Sequence, residues 1–155
     1  MNKVRNNYLL RFIMILITAG LILFAFFRSS LSADESSVES EATMGLLQNI
    51  FNAMGINFEF TDHIVRKTAH FVEYTAIGIM LMNTAYSFNK SRPYLYYSHI
   101  LFAGLLTAVI DEAIQLNVPG RAGMITDVLL DFSGIFSGAL LMFIILTIYK
   151  AIRKK

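Results

Sequence analysis

Residues 125–149 read ITDVLLDFSGIFSGALLMFIILTIY. Apart from Asp127 and Asp131 the stretch carries no charge, and it is 25 residues long. A hydrocarbon core of about 30 Å takes roughly 20 apolar residues in an α-helix. One such run predicts a membrane span. Working outward, three more runs resemble it. Tyr8 to Phe27 is interrupted only by Arg11, Phe71 to Phe88 only by Glu73, and Tyr94 to Leu116 carries Asp111 and Glu112 near its end. None shows the period-two alternation of a barrel strand. The expected fold is an all-α integral membrane protein, a bundle of four transmembrane helices in one domain over residues 1–155.

Composition agrees. The chain has 155 residues, 55% of them hydrophobic and only 15% charged, with a mean hydropathy of +0.56. Soluble domains carry about 45–50% apolar and about 25% charged residues, so a soluble enzyme is nearly excluded. With no cysteine, disulfides, thiolate metal sites and thiol catalysis are excluded outright.

Charge distribution predicts orientation. Lys3, Arg5, Arg11, Lys90, Arg92, Lys150, Arg153, Lys154 and Lys155 fall in the N-terminus, the loop between runs two and three, and the C-terminus, with no acid among them. The remaining loops hold Arg28, Arg66, Lys67 and Arg121 together with Asp34, Glu35, Glu39, Glu41, Glu59 and Asp62. The positive-inside rule puts both termini in the cytoplasm. The long acidic loop 28–67 and the short turn 117–123 then face outward. A competing reading takes residues 1–33 as a cleaved signal peptide ending at Ser30-Leu31-Ser32-Ala33, which leaves three spans. The length of the first apolar run favours an uncleaved anchor.

Within the outer loop, Ser32 to Thr43 is rich in Ser, Glu and Asp and reads as a mobile linker. Met44 to Met54 places Leu47, Ile50, Phe51 and Met54 at helical spacing, which predicts a short amphipathic helix on the outer interface or a shallow re-entrant segment, with a loop helix packed over the bundle as the plainer alternative. Thr61 is suited to cap a helix, with Asp62 in its first turn. Tyr94, Tyr96 and Tyr97 read as an interfacial aromatic belt. The basic C-terminal residues suit anionic headgroups; so short a tail is a poor nucleic-acid binder. No internal repeat is evident, which argues against an inverted-repeat transporter.

The polar residues inside the spans converge. With alternating helix directions, Arg66, Lys67, His70, Glu73, Tyr74, Asp111, Glu112, Gln115, Asp127 and Asp131 all fall in the outer half. At about 100° per residue, Arg66, His70 and Glu73 share one side of their helix. Asp111 and Gln115 share a side with Gly104, Thr107 and Ala108, and Glu112 sits at its margin. Asp127 and Asp131 share a side with Gly134 and Gly138, a GxxxG pattern that permits close helix approach. The acids therefore face the bundle.

Five carboxylates cannot all stay ionised in a dry site without partners. Three arrangements satisfy this. A divalent metal ion could bind among His70, Glu73, Asp111, Glu112 and Asp127. A proton could be shared among Asp111, Glu112 and Asp127 for general acid–base work. Or Arg121 and Lys67 could close the network as ion pairs. Blander readings exist for single members: Arg121 as a turn anchor, Asp127 as a favourable charge at a helix start, Lys67 as an interfacial lysine. For the cluster as a whole, intramembrane ionisable groups mark function by default. His63 reads as solvated, and His99 falls in the opposite half.

Arg66-Lys67-Thr68-Ala69-His70-Phe71-Val72-Glu73-Tyr74 followed by Gly78 resembles the first signature of the VanZ-like family. Asp111-Glu112-Ala113-Ile114-Gln115, then Pro119-Gly120-Arg121, Asp127 and Gly134, resembles the second. Ser29 and Ser30 resemble a serine-rich stretch in relatives, and Asp131 stands where relatives often carry asparagine. The resemblance covers roughly residues 12–148. It implies a bacterial cytoplasmic-membrane protein connected with tolerance of teicoplanin, a glycopeptide that acts on cell-wall precursors outside the membrane.

The expected function is binding or modification of a membrane lipid, a lipid-linked envelope component or a lipoglycopeptide at an outer-leaflet site. In an enzyme, Glu112 or Asp111 would be the base, His70 an acid or ligand, and Glu73 and Asp127 would position a metal or proton. Lys67, Arg66, Gln115, Arg121, Tyr74 and Asp131 would bind substrate. Non-catalytic capture is the alternative, and proton- or cation-coupled transport a third reading.

Overall fold

The computed structural model describes residues 2–90 and 92–153, with side chains described from residue 8 onward except at Glu39. Five helices make up nearly all of it: α1 (Asn2–Ser29), α2 (Ala33–Ala53), α3 (Asp62–Phe88), α4 (Tyr97–Gln115) and α5 (Ile125–Arg153). A short 3₁₀ turn, Pro93–Tyr96, leads into α4. No strand occurs among the described residues.

Three helices are long and apolar enough to cross a membrane by their own composition: Tyr8–Ser29, Pro93–Gln115 and Ile125–Arg153. The second expected span lies in α3, whose 27 residues include Arg66, Lys67 and Glu73. At about 1.5 Å per residue α3 is roughly 40 Å long. It packs against α1, α4 and α5, and its buried residues include Val65, Tyr74, Ile77, Met82 and Ala85. A helix shielded by three apolar neighbours tolerates polar residues that a lipid-facing helix does not. The outward faces of α1, α4 and α5 expose large apolar side chains such as Phe12, Phe24, Phe102 and Ile145, as a lipid-facing surface requires.

Helix directions follow from contacts. Arg11 Nε donates to the Ser87 carbonyl at 3.2 Å, while Arg28 Nε lies 3.6 Å from Glu73 Oε1, so α1 and α3 are antiparallel. Lys67 meets Asp127, and Met82 and Ala85 meet Ala139 and Leu146, so α3 and α5 are parallel. Ser29 meets Asp111, which sets α4 beside α1 in the same direction. Thus α1 and α4 end where α3 and α5 begin.

Glycines bring α3 and α5 into backbone contact. A Cβ on Gly134 would lie 2.7 Å from the Phe71 carbonyl oxygen. One on Gly138 would meet the Thr75 carbonyl, and one on Gly78 the Ile135 carbonyl. Gly104 of α4 lies over the Ile135 side chain. Small residues at such crossings replace the missing hydrophobic drive between membrane helices with close van der Waals contact.

The first half of α2 corrects an expectation. Ser32 to Thr43 is not a linker; Ala33–Ala53 forms one continuous helix. Its start is a reciprocal capping box. Ser32 Oγ accepts from the Glu35 backbone N–H, and the Glu35 carboxylate accepts from the Ser32 backbone N–H at 2.9 Å. That satisfies orphan amides at the helix start, and it holds the Glu35 carboxyl below its usual range. Ser36 and Ser40 are buried while Val38, Leu46, Ile50 and Met54 are exposed, so hydroxyls face the bundle and apolar side chains face out. Ser40 bonds Asp62 at the start of α3. Thr61 caps α3 through the Ile64 amide, as its position predicts.

Candidate functional site

One end of the bundle collects the polar residues. Asp111 from α4 and Asp131 from α5 are 0% and 1% exposed. His70 from α3 places Nδ1 3.6 Å from Asp131 Oδ1. One donor atom from each of His70, Asp111 and Asp131 lies within 4.8 Å of the others. The α3–α5 glycine contact holds this geometry, since Gly134 sits one turn from Asp131 and against Phe71, the neighbour of His70.

Asp111 is oriented from two sides. Ser29 Oγ donates to its Oδ2 at 2.7 Å, and Gln115 Nε2 donates to the same oxygen at 3.1 Å. Asp111 Oδ1 and both oxygens of Asp131 accept no hydrogen bond from any described residue. Buried carboxylate oxygens are normally satisfied. The Tyr74 hydroxyl, also buried, makes no hydrogen bond among the described residues, and its ring stacks beside His70 with centroids 6.4 Å apart.

The other candidate acids have partners. Glu73 faces Arg28. Asp127 Oδ1 accepts from Lys67 Nζ at 2.7 Å. Glu112 Oε2 accepts from the Met124 backbone N–H at 2.9 Å, and Oε1 from Gln115 at 3.2 Å. Glu112 thereby ties down the 116–124 turn, where Gly120 adopts φ +76°, a conformation that favours glycine. Three of the five expected metal candidates, Glu73, Glu112 and Asp127, are thus engaged elsewhere. Asp131 takes their place beside His70 and Asp111.

Above this acidic floor lies a basic rim. A cavity of about 200 Å³ is lined by His63, Arg66, Lys67, His70, Arg121 and Asp131, among others. A second, of about 400 Å³, lies under α2 and is lined by Arg28, Ser36, Ser40, Thr43, Arg66 and Arg121. Arg66, His70 and Arg121 border both. Arg66 pairs with Asp62 at 3.2 Å. Burial, and then the neighbouring charge of Arg66, pull Arg121 below the ordinary guanidinium value, with Arg28 acting the same way and Asp111 and Glu112 opposing. A guanidinium stays protonated regardless. Its Nε is buried and makes no hydrogen bond among the described residues. Arginines that repel one another around a cavity favour an anion in it.

Residues 12–146 match the family model VanZ/LLP1. The chain belongs to the VanZ/LLP1 family. With its apolar helices, it is a VanZ-like membrane protein. No curated protein and no solved structure matches the chain. In this VanZ/LLP1 chain both signature stretches contribute to the site, the first through Arg66, Lys67 and His70 and the second through Asp111, Gln115 and Arg121. Ser29 belongs there as well. Its sequence signals are the resemblance of Ser29 and Ser30 to a serine-rich stretch in relatives and a hydroxyl at the very end of an apolar run. His63 lines the cavity, whereas His99 lies near Tyr96 at the other end.

Proposed function

We propose that this VanZ/LLP1 protein crosses the bacterial cytoplasmic membrane four times, with both termini inside, and receives an anionic, lipid-linked envelope component on the outer side. The observation that carries this is the basic rim of Arg28, Arg66 and Arg121 around cavities at one end of a lipid-facing bundle. Arginine forks bind phosphate oxygens with charge-assisted hydrogen bonds. The hydroxyls of Ser36, Ser40 and Thr43 line the same space.

Orientation is supported by the opposite end. Arg11 lies against Ser87 there, and Lys150 lies over the Tyr86 ring. Lys90 and Arg92 occupy the adjoining turn. All 11 acids fall between residues 34 and 131, none of them in the segments of that far end. A basic end without acids is cytoplasmic under the positive-inside rule, which turns the cavities outward. α3 is then the remaining span, sheltered by its neighbours. The chain end bearing Arg153 suits anionic inner-leaflet headgroups. A lipid-tailed glycopeptide such as teicoplanin, which the family resemblance brings in, presents an acyl chain to the bundle and polar groups to the rim.

The test uses full-length protein in lipid nanodiscs, a labelled polyprenyl phosphate, and the matching polyprenol. The phosphate is retained and the alcohol is not. Arg121→Gln weakens retention about tenfold, ~1.4 kcal/mol, while Lys90→Gln leaves it unchanged. Equal retention of alcohol and phosphate would overturn the reading. Recovery of the probe chemically altered assigns modification, and recovery intact assigns capture.

A further inference from the structure

Once the contacts of each acid at the bundle end are drawn, two acids still carry buried oxygens that accept no hydrogen bond from a described residue. Lys67 neutralises Asp127, Arg28 faces Glu73, and the Met124 amide and Gln115 hold Glu112. Asp111 and Asp131 are left, almost wholly buried, with three of their four oxygens accepting no hydrogen bond from a described residue. The nearest basic group is a single imidazole, His70, at 3.6 Å from Asp131. Two buried carboxylates facing one imidazole lack positive charge, and desolvation makes that lack costly.

We propose that His70, Asp111 and Asp131 form a binding site for one divalent first-row transition metal ion. The donor set is one nitrogen and two carboxylates from three different helices, the way bundle cores build metal sites. Three protein ligands leave coordination positions open toward the cavity that His70 and Asp131 line. An imidazole with two carboxylates suits zinc- or manganese-like ions rather than calcium, which takes oxygen ligands alone. The donor atoms lie within 4.8 Å of one another. Three donors bonded to one ion at about 2.1 Å stand no more than about 3.6 Å apart from one another. Closing the set therefore takes side-chain shifts of about an ångström. Support from the surroundings is in place. Ser29 and Gln115 both bond Asp111 Oδ2 and leave Oδ1 unengaged, as outer hydrogen bonds orient a metal-ligating carboxylate. The orphaned oxygens are thus the second observation beside the cluster itself.

This site does not rest on the lipid reading, since the ion would bind the chain alone. Full-length protein is stripped with chelator in detergent, passed through a desalting column, and titrated with Mn²⁺ as the only added ligand. One equivalent binds per chain, and the electron-spin resonance of the bound ion carries nitrogen coupling from one imidazole. His70→Gln abolishes that coupling. Asp131→Asn and Asp111→Asn each weaken binding at least tenfold, while Lys90→Gln, which removes an exposed charge at the opposite end of the bundle, leaves it intact. Bound Mn²⁺ without nitrogen coupling in the unmutated protein overturns the site, as does no binding at all. Unchanged affinity in Asp131→Asn does the same. Because the coupling is read on the unmutated chain, a variant that fails to fold does not remove the test. If Mn²⁺ binds as described and polyprenyl phosphate is not retained, the lipid reading fails and the metal site stands.

Discussion

Ser29 Oγ donates to Asp111 Oδ2 at 2.7 Å, linking the last residue of α1 to a fully buried carboxylate on α4 across 82 positions of sequence. Both residues are 0% exposed. The bond closes the bundle end where the candidate site lies. A hydrogen bond to a charged group contributes more than a neutral one, and its loss leaves a buried acceptor under-satisfied. Ser29→Ala is expected to cost about 1–3 kcal/mol. Thermal unfolding in detergent measures this. Ser30→Ala is the matched control, because Ser30 is exposed and its hydroxyl donates to the nearby Phe27 carbonyl at the end of α1; it should change little.

The glycine crossing predicts a steep size limit. Gly138→Leu pushes side-chain atoms into the Thr75 carbonyl, and Gly134→Leu pushes them into the Phe71 carbonyl. Neither backbone can yield without moving α3 from α5. Overpacking of this kind costs about 1–3 kcal/mol or more. A Cβ at Gly20 meets no atom within 4 Å, so Gly20→Leu should fold like the parent. Size-exclusion profiles and melting temperatures of the three variants decide the matter. Equal behaviour would mean that the crossing does not hold the bundle together.

Lys67 and Asp127 are about a third and a quarter exposed, with 2.7 Å between Nζ and Oδ1. Partial exposure screens the pair, so its coupling is expected to be about 1 kcal/mol or less. A double-mutant cycle with Lys67→Met and Asp127→Asn reads it. The coupling should fall further in high salt. A value near zero would make Lys67 an interfacial lysine without a structural partner.

The cysteine-free chain allows topology to be read from single substitutions. Glu59 and Lys90 are exposed, and α3 lies between them. In intact cells an impermeant maleimide should label Glu59→Cys and not Lys90→Cys. After permeabilisation it should label both. Equal labelling in intact cells would place the two ends of α3 on one side of the membrane, and the four-span reading would fail.

The α2 cap has a pH dependence with a defined sign. Hydrogen bonds from Ser32 hold the Glu35 carboxyl below its usual value. Ionised Glu35 therefore adds stability above the unfolded-state value, and that stability is lost as pH falls through the lower folded-state value. Amide exchange at the first turn of α2 should accelerate in that acid window. In Glu35→Gln the acid dependence should be gone.

Much of the fold was legible in the sequence for simple reasons. Thr61 followed by Asp62 is a capping signal, and α3 starts there. Gly134 and Gly138 share a face with Asp131, and that face meets α3. Two things were not legible. Ser32 to Thr43 has a linker's composition, yet Glu35 returns a hydrogen bond to Ser32, and Ser36 and Ser40 turn toward the bundle. Local composition cannot report which face of a polar helix finds a neighbour. Nor could spacing sort five acids at one depth into paired and unpaired. That division depends on which cation reaches which oxygen: Arg28 reaches Glu73, and Lys67 reaches Asp127. Asp131 stands out only after those pairs are drawn.

The carbonyl contacts at Gly78, Gly134 and Gly138 also restrict how the molecule can move. Two helices separated by a layer of side chains can slide as rotamers exchange. Two helices in contact through their main chains have no such lubricating layer. α3 and α5 therefore behave as one stiff rail carrying His70 and Asp131. Any widening of the cavities has to come from the parts that lean on the rail: α2, through its bond from Ser40 to Asp62, and the 116–124 turn that Glu112 tethers.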